Sequence, residues 1–369
     1  MAIVVWELAK IVRVRRQLLE WYGINRRELP WRQSSDPYAI WVSEIMLQQT
    51  RVAVVIDRYQ AFLLRFPSLL SLAAAPEQDV LAMWSGLGYY RRARMLHKAA
   101  QYVAARHDGR LPTSADKLQL LPGIGAYTAA AIASIAQGQR VAVVDGNVER
   151  VLCRMAGWDS GGRAGGAALK RKIAGLAQQL VSPDRPGDFN QAMMELGATV
   201  CLPRNPRCLE CPVSKDCKTQ GEHKTAPRAP MLSQEIAYAL SVRMGRRAGT
   251  TNRPTSREVL LEQRPESASV MPGLWELPLL REPAVPDSEL RMTVRHAIMQ
   301  VNYYVRVRTV FEDDVKAMTI TAGKRRWVPL RKTAAMALTG LARKVLTRAH
   351  LLQIAPLDAI APRSGEDLV

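Results

Sequence analysis

The amino-acid sequence predicts a mainly α-helical body followed by a smaller α+β module, and three observations carry that reading. Apolar residues recur at helical spacing from Trp6 to Ala105 and again from about residue 114 to 200. The stretch KTQGEHKTAPRAPMLS at 218–233 is polar, contains prolines and has no periodicity, as a linker would. Beyond it the texture changes: Ile236–Arg243, Glu258–Gln263, Val301–Val310 and Arg326–Val328 read as strands, and Thr333–Ala349 as a helix. The expected boundaries are 1–217 for the helical body, 218–235 for the linker and 236–369 for the second module.

A chain of 369 residues with 48% hydrophobic and 23% charged residues is globular in composition and long enough for two or three cores. The formal charge of +19 concentrates polyanions and points to nucleic acid; a surface of solvated lysine and arginine is the alternative. No apolar run reaches the ~18–20 residues that span a bilayer. The opening MAIVVWELAK lacks a basic region before its apolar residues, so a soluble cytoplasmic protein without a membrane partner is expected.

In chain order, LAKIVRVRRQLLEWYG is an amphipathic helix ending at Gly23. Leu29-Pro30-Trp31-Arg32 breaks the pattern, and Ser34-Ser35-Asp36-Pro37 starts the next helix with a capping side chain before a first-turn proline. There Ile40, Glu44 and Leu47 fall on one stripe, which places a carboxyl among apolar residues. Helices are expected at 51–66, 76–85, 89–106 and 114–121, with a break at Trp84-Ser85-Gly86-Leu87-Gly88. Leu121-Pro122-Gly123-Ile124-Gly125 then turns the chain into AYTAAAIASIAQ. Gly123 and Gly125 allow a tight turn, and the first turn of the new helix offers free N–H groups to an anion. A plain corner between two helices is the competing reading. Asp145-Gly146-Asn147 opens a further helix some twenty residues on, where folding back could return the aspartate to the same anion. A glycine-rich flexible loop at 161–166 and helices at 167–181 and 188–200 follow.

Cys201, Cys208, Cys211 and Cys217 have the spacing C-x6-C-x2-C-x5-C. Four thiolates so close can wrap one metal centre, and the spacing admits either zinc or an iron–sulfur cluster. Cys153 stands apart as an ordinary buried thiol. Two carboxyls suit acid-assisted bond cleavage: one, kept protonated, gives its proton to a leaving group and the other faces the positive charge that develops. Glu44, whose apolar surroundings raise its pKa, is the candidate acid, and Asp145 the candidate stabiliser. A salt-bridged glutamate and an ordinary helix cap are the respective alternatives.

These motifs together resemble a known family. LPGIGAYTA with VVDGNVERVL is similar to the helix–hairpin–helix and Gly/Pro…Asp signature of base-excision glycosylases, and Trp41–Val52 (WVSEIMLQQTRV) resembles the MutY-type adenine DNA glycosylases nearly letter for letter. The resemblance covers about residues 10–217. It implies a two-part helical core with a [4Fe–4S] cluster on the four cysteines, Glu44 as the acid at adenine N7 and Asp145 at the sugar cation, with Asn147 orienting the site. Trp31, Arg32 and Gln191 would line the adenine pocket. Gln48 would meet the substrate, and Gln49 and Tyr89 (in GLGYYRRAR) would fill the space left in the stack. Arg204, Arg207 and Lys215 of the cysteine loop are placed to meet phosphate. Tyr127 stands where bifunctional relatives such as endonuclease III carry a Schiff-base lysine, so a monofunctional enzyme is implied.

LLEQRP (260–265) and MPGLWELP (271–278) resemble the Nudix-like lesion-recognition domain of the same family. The glutamate-rich hydrolase helix is missing, so no nucleotide hydrolysis is expected. Where bacterial members carry Phe-Ser-His, this chain reads Ile298-Met299-Gln300, leaving His296, Gln300 or Asn302 for polar contact with 8-oxoguanine. The implied substrate is double-stranded DNA with A:8-oxoguanine or A:G mispairs, handled by a monomeric, nucleoid-associated protein of bacterial type. A thymine-removing relative and a non-catalytic lesion binder are the rival readings.

Overall fold

The computed structural model describes residues 6–159, 166–223, 230–245 and 256–352. The loop expected at 161–166 lies, apart from Gly166, outside the described residues, as does 224–229 of the expected linker. No helix is long and apolar enough to cross a membrane among the described residues.

Helices α1 (Leu8–Asn25), α2 (Pro37–Leu47), α3 (Val52–Arg65), α4 (Leu69–Ala74), α5 (Glu77–Met83), α6 (Arg91–Arg106), α7 (Ala115–Leu118), α8 (Ala126–Gln137), α9 (Gly146–Ala156), α10 (Gly166–Leu180) and α11 (Pro186–Thr199) form the helical body. The chain folds into two compact units, one of Met1–Gln49, Ser68–Ala73 and Lys98–Arg228, the other of Thr50–Pro67, Ala74–His97 and Ala229–Val369. Side chains of the 74–97 segment bond to the C-terminal chain: Tyr90 Oη donates to Leu338 O at 2.9 Å and Arg94 Nη2 to Pro272 O at 2.8 Å.

In the first unit, α1 buries Ile11, Val14, Leu18 and Tyr22, the stripe its sequence spacing dictates. It packs on α10 and α11 over a core that includes Leu152, Leu176, Phe189 and Leu196. Arg13 closes α1 onto Asp216, with Nη2–Oδ1 2.6 Å and Nε–Oδ2 3.0 Å. Asp36 caps α2 as expected, accepting from the amides of Tyr38 (3.0 Å) and Ala39 (3.3 Å). Every residue from Tyr38 to Met46 is buried, so α2 is enclosed on all sides and packs on α8. Helix α11 touches α1, α8 and α9. Gly197 makes the last approach possible, because a Cβ there would lie 2.6 Å from the Asn147 Cβ.

The second unit holds α3 and α5, packed together, and the sheets. Strands β1 (Leu232–Leu240), β5 (Leu279–Leu280), β6 (Leu290–Ile298), β7 (Val301–Thr309) and β8 (Thr319–Ile320) form a five-stranded sheet in the order β6-β7-β1-β5-β8, with β1 parallel to β7. In the other sheet β3 (Arg257–Gln263) is paired by β2 (Val242–Met244), β4 (Trp275–Glu276) and β9 (Lys324–Pro329). Helices α12 (Val315–Met318), α13 (Leu330–Thr333) and α14 (Gly340–Arg348) complete it, and α14 lays Leu341, Val345 and Leu346 in one core with Val294, Val305 and Val307.

Several expectations change. Strand β1 starts at Leu232, inside the expected linker. LRMTVRHAI alternates in two-residue period and forms β6, a strand that the sequence reading passed over. The expected helix Thr333–Ala349 is broken, because Leu338 pairs with Trp275 instead and α14 begins only after the Thr339 cap. Since Ile298 pairs with Val301, the β6–β7 turn contains only Met299 and Gln300.

Replacing Gly197 with alanine should lower stability by about 1–3 kcal/mol, the usual cost of overpacking, since the nearest atoms include Asn147 backbone. Thermal unfolding checks this; an unchanged midpoint would show that α9 and α11 separate without cost.

Candidate active site

The turn before α8 has the geometry that an anion site needs. Gly123 takes φ +75°, and Ile124 N donates back to Leu121 O at 3.2 Å. Gly125 caps α8 without any side-chain hydrogen bond, and no atom lies within 4 Å of where its Cβ would stand. Gly125 and Ala126 are exposed, so the first-turn amides of α8 face outward with the helix dipole behind them.

One turn deeper, four helices bring the candidate chemistry together. Glu44 of α2 is 6% exposed, and the Tyr127 hydroxyl at the start of α8 donates to its Oε2 at 2.7 Å. The same hydroxyl lies 3.4 Å from the Met194 sulfur of α11. Burial drives the Glu44 carboxyl up to about 7, and the charge of Asp145 adds to the rise; the Tyr127 hydrogen bond and Arg32 oppose it. Tyr127 itself is pushed well upward, first by burial and then by the charge of Glu44. Among the described residues Glu44 is bonded by the Tyr127 hydroxyl and forms no ion pair.

Asp145 is a helix cap and more. Its Oδ1 accepts from Val148 N at 2.7 Å at the start of α9, and its Oδ2 accepts from Asn147 Nδ2 at 2.9 Å. Arg150 extends this chain: Nη2 donates to Asn147 Oδ1 (2.9 Å) and Gly197 O (2.7 Å), and Nε to Cys201 O (2.9 Å). Sequence reasoning missed Arg150, whose signal was its place three residues after Asn147. Asn190 was missed too. It holds the segment leading to Asp145 by accepting from Val143 N at 3.1 Å and donating to Val141 O at 2.8 Å.

Arg32, expected in a base pocket, is engaged in a buried cluster. Its Nη2 donates to Glu195 Oε2 at 2.8 Å and its Nη1 to Arg27 O at 2.9 Å, while Arg27 Nε and Nη2 grip both Glu195 oxygens at 2.7 Å. Burial alone would raise Glu195, but the bonds from Arg27 and Arg32 outweigh it and hold the carboxyl at about 2. Trp31 is buried beside Arg32 in sequence, Gln191 is half-buried on α11, and Gln48 Nε2 donates to Thr128 Oγ1 at 3.3 Å. Gln49, just past α2, is exposed with φ +56°.

Tyr89, His296 and Gln300 belong to the second unit. Tyr89 is 52% exposed with φ +46°, an outlier for so bulky a residue. Met299 and Gln300 are exposed at the β6–β7 turn, where Met299 takes φ +54°. His296 is half-buried, with its ring 3.5 Å from the Cβ position of Gly340.

The four cysteines follow α11, and none is in a disulfide. All four line one cavity with Val151, Arg154, Met155, Leu196, Val200 and Val213. Burial and the neighbouring thiols push Cys211 up to about 11, so the sulfurs feel one another. Arg154, buried and without a carboxylate partner among the described residues, places Nη1 3.3 Å from the Cys201 sulfur. A cation beside four thiols in an apolar cavity fits an anionic metal–thiolate centre. Among the described residues, however, no three metal-ligating side chains are already drawn to ligating geometry.

The chain matches the model of the HhH-GPD superfamily base excision DNA repair proteins over residues 42–179. It is 48% identical over 223 residues to an adenine DNA glycosylase of Homo sapiens, covering 58% of this chain and 40% of that one. An adenine DNA glycosylase of Mus musculus is 42% identical over 323 residues, 74% of this chain and 61% of the other. The chain thus spans roughly half the length of these curated relatives. The solved structure of a thermostable thymine-DNA glycosylase superposes with a TM-score of 0.53 at 30% identity, over 57% of this chain and 97% of that one. With the glycine turn, the buried glutamate and the capped aspartate in place, the chain belongs to the HhH-GPD superfamily of base excision DNA repair proteins, and the curated relatives it resembles there are adenine DNA glycosylases.

Proposed function

We propose that the protein is a monofunctional DNA glycosylase of base-excision repair that hydrolyses the N-glycosidic bond of adenine mispaired with 8-oxoguanine or guanine. The observation that carries this reading is Glu44: buried, half-protonated near neutral pH, and within electrostatic reach of the charged Asp145. Glu44 gives its proton to the adenine ring nitrogen N7. The bond electrons leave with the base, and the sugar becomes an oxocarbenium-like cation. Asp145, fixed by Val148 N and Asn147, faces that cation, and a water adds to the sugar carbon as its proton returns to Glu44. Gly123, Gly125 and the opening of α8 hold a backbone phosphate; Gln49 of the first unit meets the base stack around the lesion, and so does Tyr89 of the second. Gln300, exposed at its turn, and His296, half-buried, supply the polar contacts available to the 8-oxoguanine, fewer than a Phe-Ser-His tip would give.

Glu44→Gln should bind duplex and release no adenine. In the unsubstituted protein, single-turnover adenine release should be fastest below pH 7 and fall about tenfold per unit above it, because only the protonated acid works. A rate independent of pH from 5 to 9, or normal release by the variant, would remove Glu44 from this role. The likeness to a thymine-DNA glycosylase supports a second reading, thymine release, and running the assay with T opposite guanine and 8-oxoguanine separates the two.

Tyr127 has no amine and cannot form a Schiff base with the abasic sugar. Tyr127→Lys should therefore gain strand cleavage and a borohydride-trappable adduct. Efficient trapping before the substitution would overturn the monofunctional assignment.

Cys201, Cys208, Cys211 and Cys217 would hold a [4Fe–4S] cluster, whose part here is to cross-link the loop that closes the first unit. About four irons per chain and visible absorbance are expected after anaerobic purification. One zinc and no iron would refute the cluster, and Cys208→Ser should yield poorly soluble protein.

A further inference from the structure

Tyr89 stands out of a loop whose every other part is fastened. Gly86 at φ +99° and Gly88 at φ +69° shape it, and Tyr89 itself is left-handed at φ +46°. Arg92 Nη2 donates to Leu87 O (2.9 Å) and Gly88 O (3.2 Å), Trp84 Nε1 also donates to Gly88 O (3.2 Å), and the Arg92 guanidinium lies 5.7 Å from the centre of the Tyr89 ring. A bulky side chain is not expected to adopt that backbone unless its surroundings impose it.

The two residues that bracket this loop both point inward to one atom of the C-terminal chain. Tyr90, 4% exposed, donates its hydroxyl to Leu338 O at 2.9 Å, and Ser85, fully buried, places Oγ 3.4 Å from the same oxygen. Arg343 Nε donates to Ser85 Oγ at 2.8 Å. The accepting carbonyl is itself held: Trp275 N bonds to Ala337 O and Thr339 N to Trp275 O, each at 2.9 Å, and Trp275 pairs with Gln263 of β3. A continuous set of hydrogen bonds therefore runs from the sheet to both ends of the Tyr89 loop, within one compact unit.

We infer that Tyr90, Ser85 and Arg343 are positioning residues that hold Tyr89 in its outward, left-handed stance by tying its loop to the Leu338 carbonyl, so that opening of the DNA stack by Tyr89 depends on the C-terminal fold. This rests on the assignment of Tyr89 above. It gives the C-terminal segment a second task besides any contact with the lesion: it is the anvil against which the inserting side chain is set. Insertion of Tyr89 into a base stack presses back on the loop, and a loop free to yield would lose that work.

The test uses full-length protein carrying Glu44→Gln, so that no base is lost, and an A:8-oxoguanine duplex with 2-aminopurine next to the 8-oxoguanine. Binding should raise the fluorescence as the stack opens, and Tyr89→Ala should abolish the rise. Tyr90→Phe keeps the ring and removes one neutral hydrogen bond. It should weaken the mispair's advantage over matched duplex about fivefold and reduce the rise, with the thermal midpoint and visible absorbance little changed. Arg343→Met should act in the same direction, which keeps the test open if Tyr90→Phe folds poorly. The decisive comparison is the double variant: Tyr90→Phe should add nothing once Tyr89 is alanine. An unchanged rise with both Tyr90→Phe and Arg343→Met, or losses that add in the Tyr89→Ala background, would overturn the positioning role. A full rise with Tyr89→Ala alone would instead refute the assignment of Tyr89, and the inference with it.

Discussion

The chemistry depends on where Arg32 spends its charge. Among the described residues two glutamates are buried in the first unit, Glu44 on α2 and Glu195 on α11, and they end at opposite extremes, about 7 and about 2. Arg27 and Arg32 make the difference, because both are locked on Glu195 and only a residue of the Arg32 field reaches Glu44. Were Arg32 to turn to Glu44, that carboxyl would be ion-paired and ionised at neutral pH. Buried Glu195 thus holds the Arg32 guanidinium and keeps it from pairing with Glu44.

The same helix that carries Glu195 organises the other carboxylate. Gly197 lets α11 press on Asn147, Asn147 orients Asp145, and Arg150 ties Asn147 to the carbonyls of Gly197 and Cys201. The aspartate is a helix cap by local geometry and a poised anion by context, and the two roles support each other: a cap bond fixes one oxygen and leaves its charge in place. The cysteine loop, which adds no reacting group, reaches the site through this backbone link. That continuity places the cysteine loop and the two carboxylates in one folding unit.

Much of this was legible in the sequence because the decisive signals were local. Asp36-Pro37, Gly123-Ile124-Gly125 and Asp145-Gly146-Asn147 each specify a cap or turn within a few residues, and the stripe through Glu44 foretold its burial. What stayed hidden had partners far along the chain. Glu195 and Arg32 are 163 residues apart, and Tyr90 and Leu338 are 248 apart. No periodicity encodes such pairs. Residues 74–97 likewise look like an ordinary part of a helical run, with nothing local to show that Tyr90 and Arg94 bond to the C-terminal chain. The break at Leu338 was hidden differently: KTAAMALTGLARKV is good helix by composition, and pairing with Trp275 overrides it.

The closure of Arg13 on Asp216 carries a consequence for the order of events during synthesis. Helix α1 leaves the ribosome well before α10 and α11, yet its buried stripe faces them, and its guanidinium waits for a carboxylate 203 residues later. At ~5–20 residues per second, α1 spends at least ten seconds or so without that cover. Its many basic residues, IVRVRR among them, then keep an unshielded apolar face soluble. Asp216 precedes Cys217, so the bond that latches helix α1 becomes available only as the last of the four clustered cysteines emerges, and that helix is sealed by the loop that carries them.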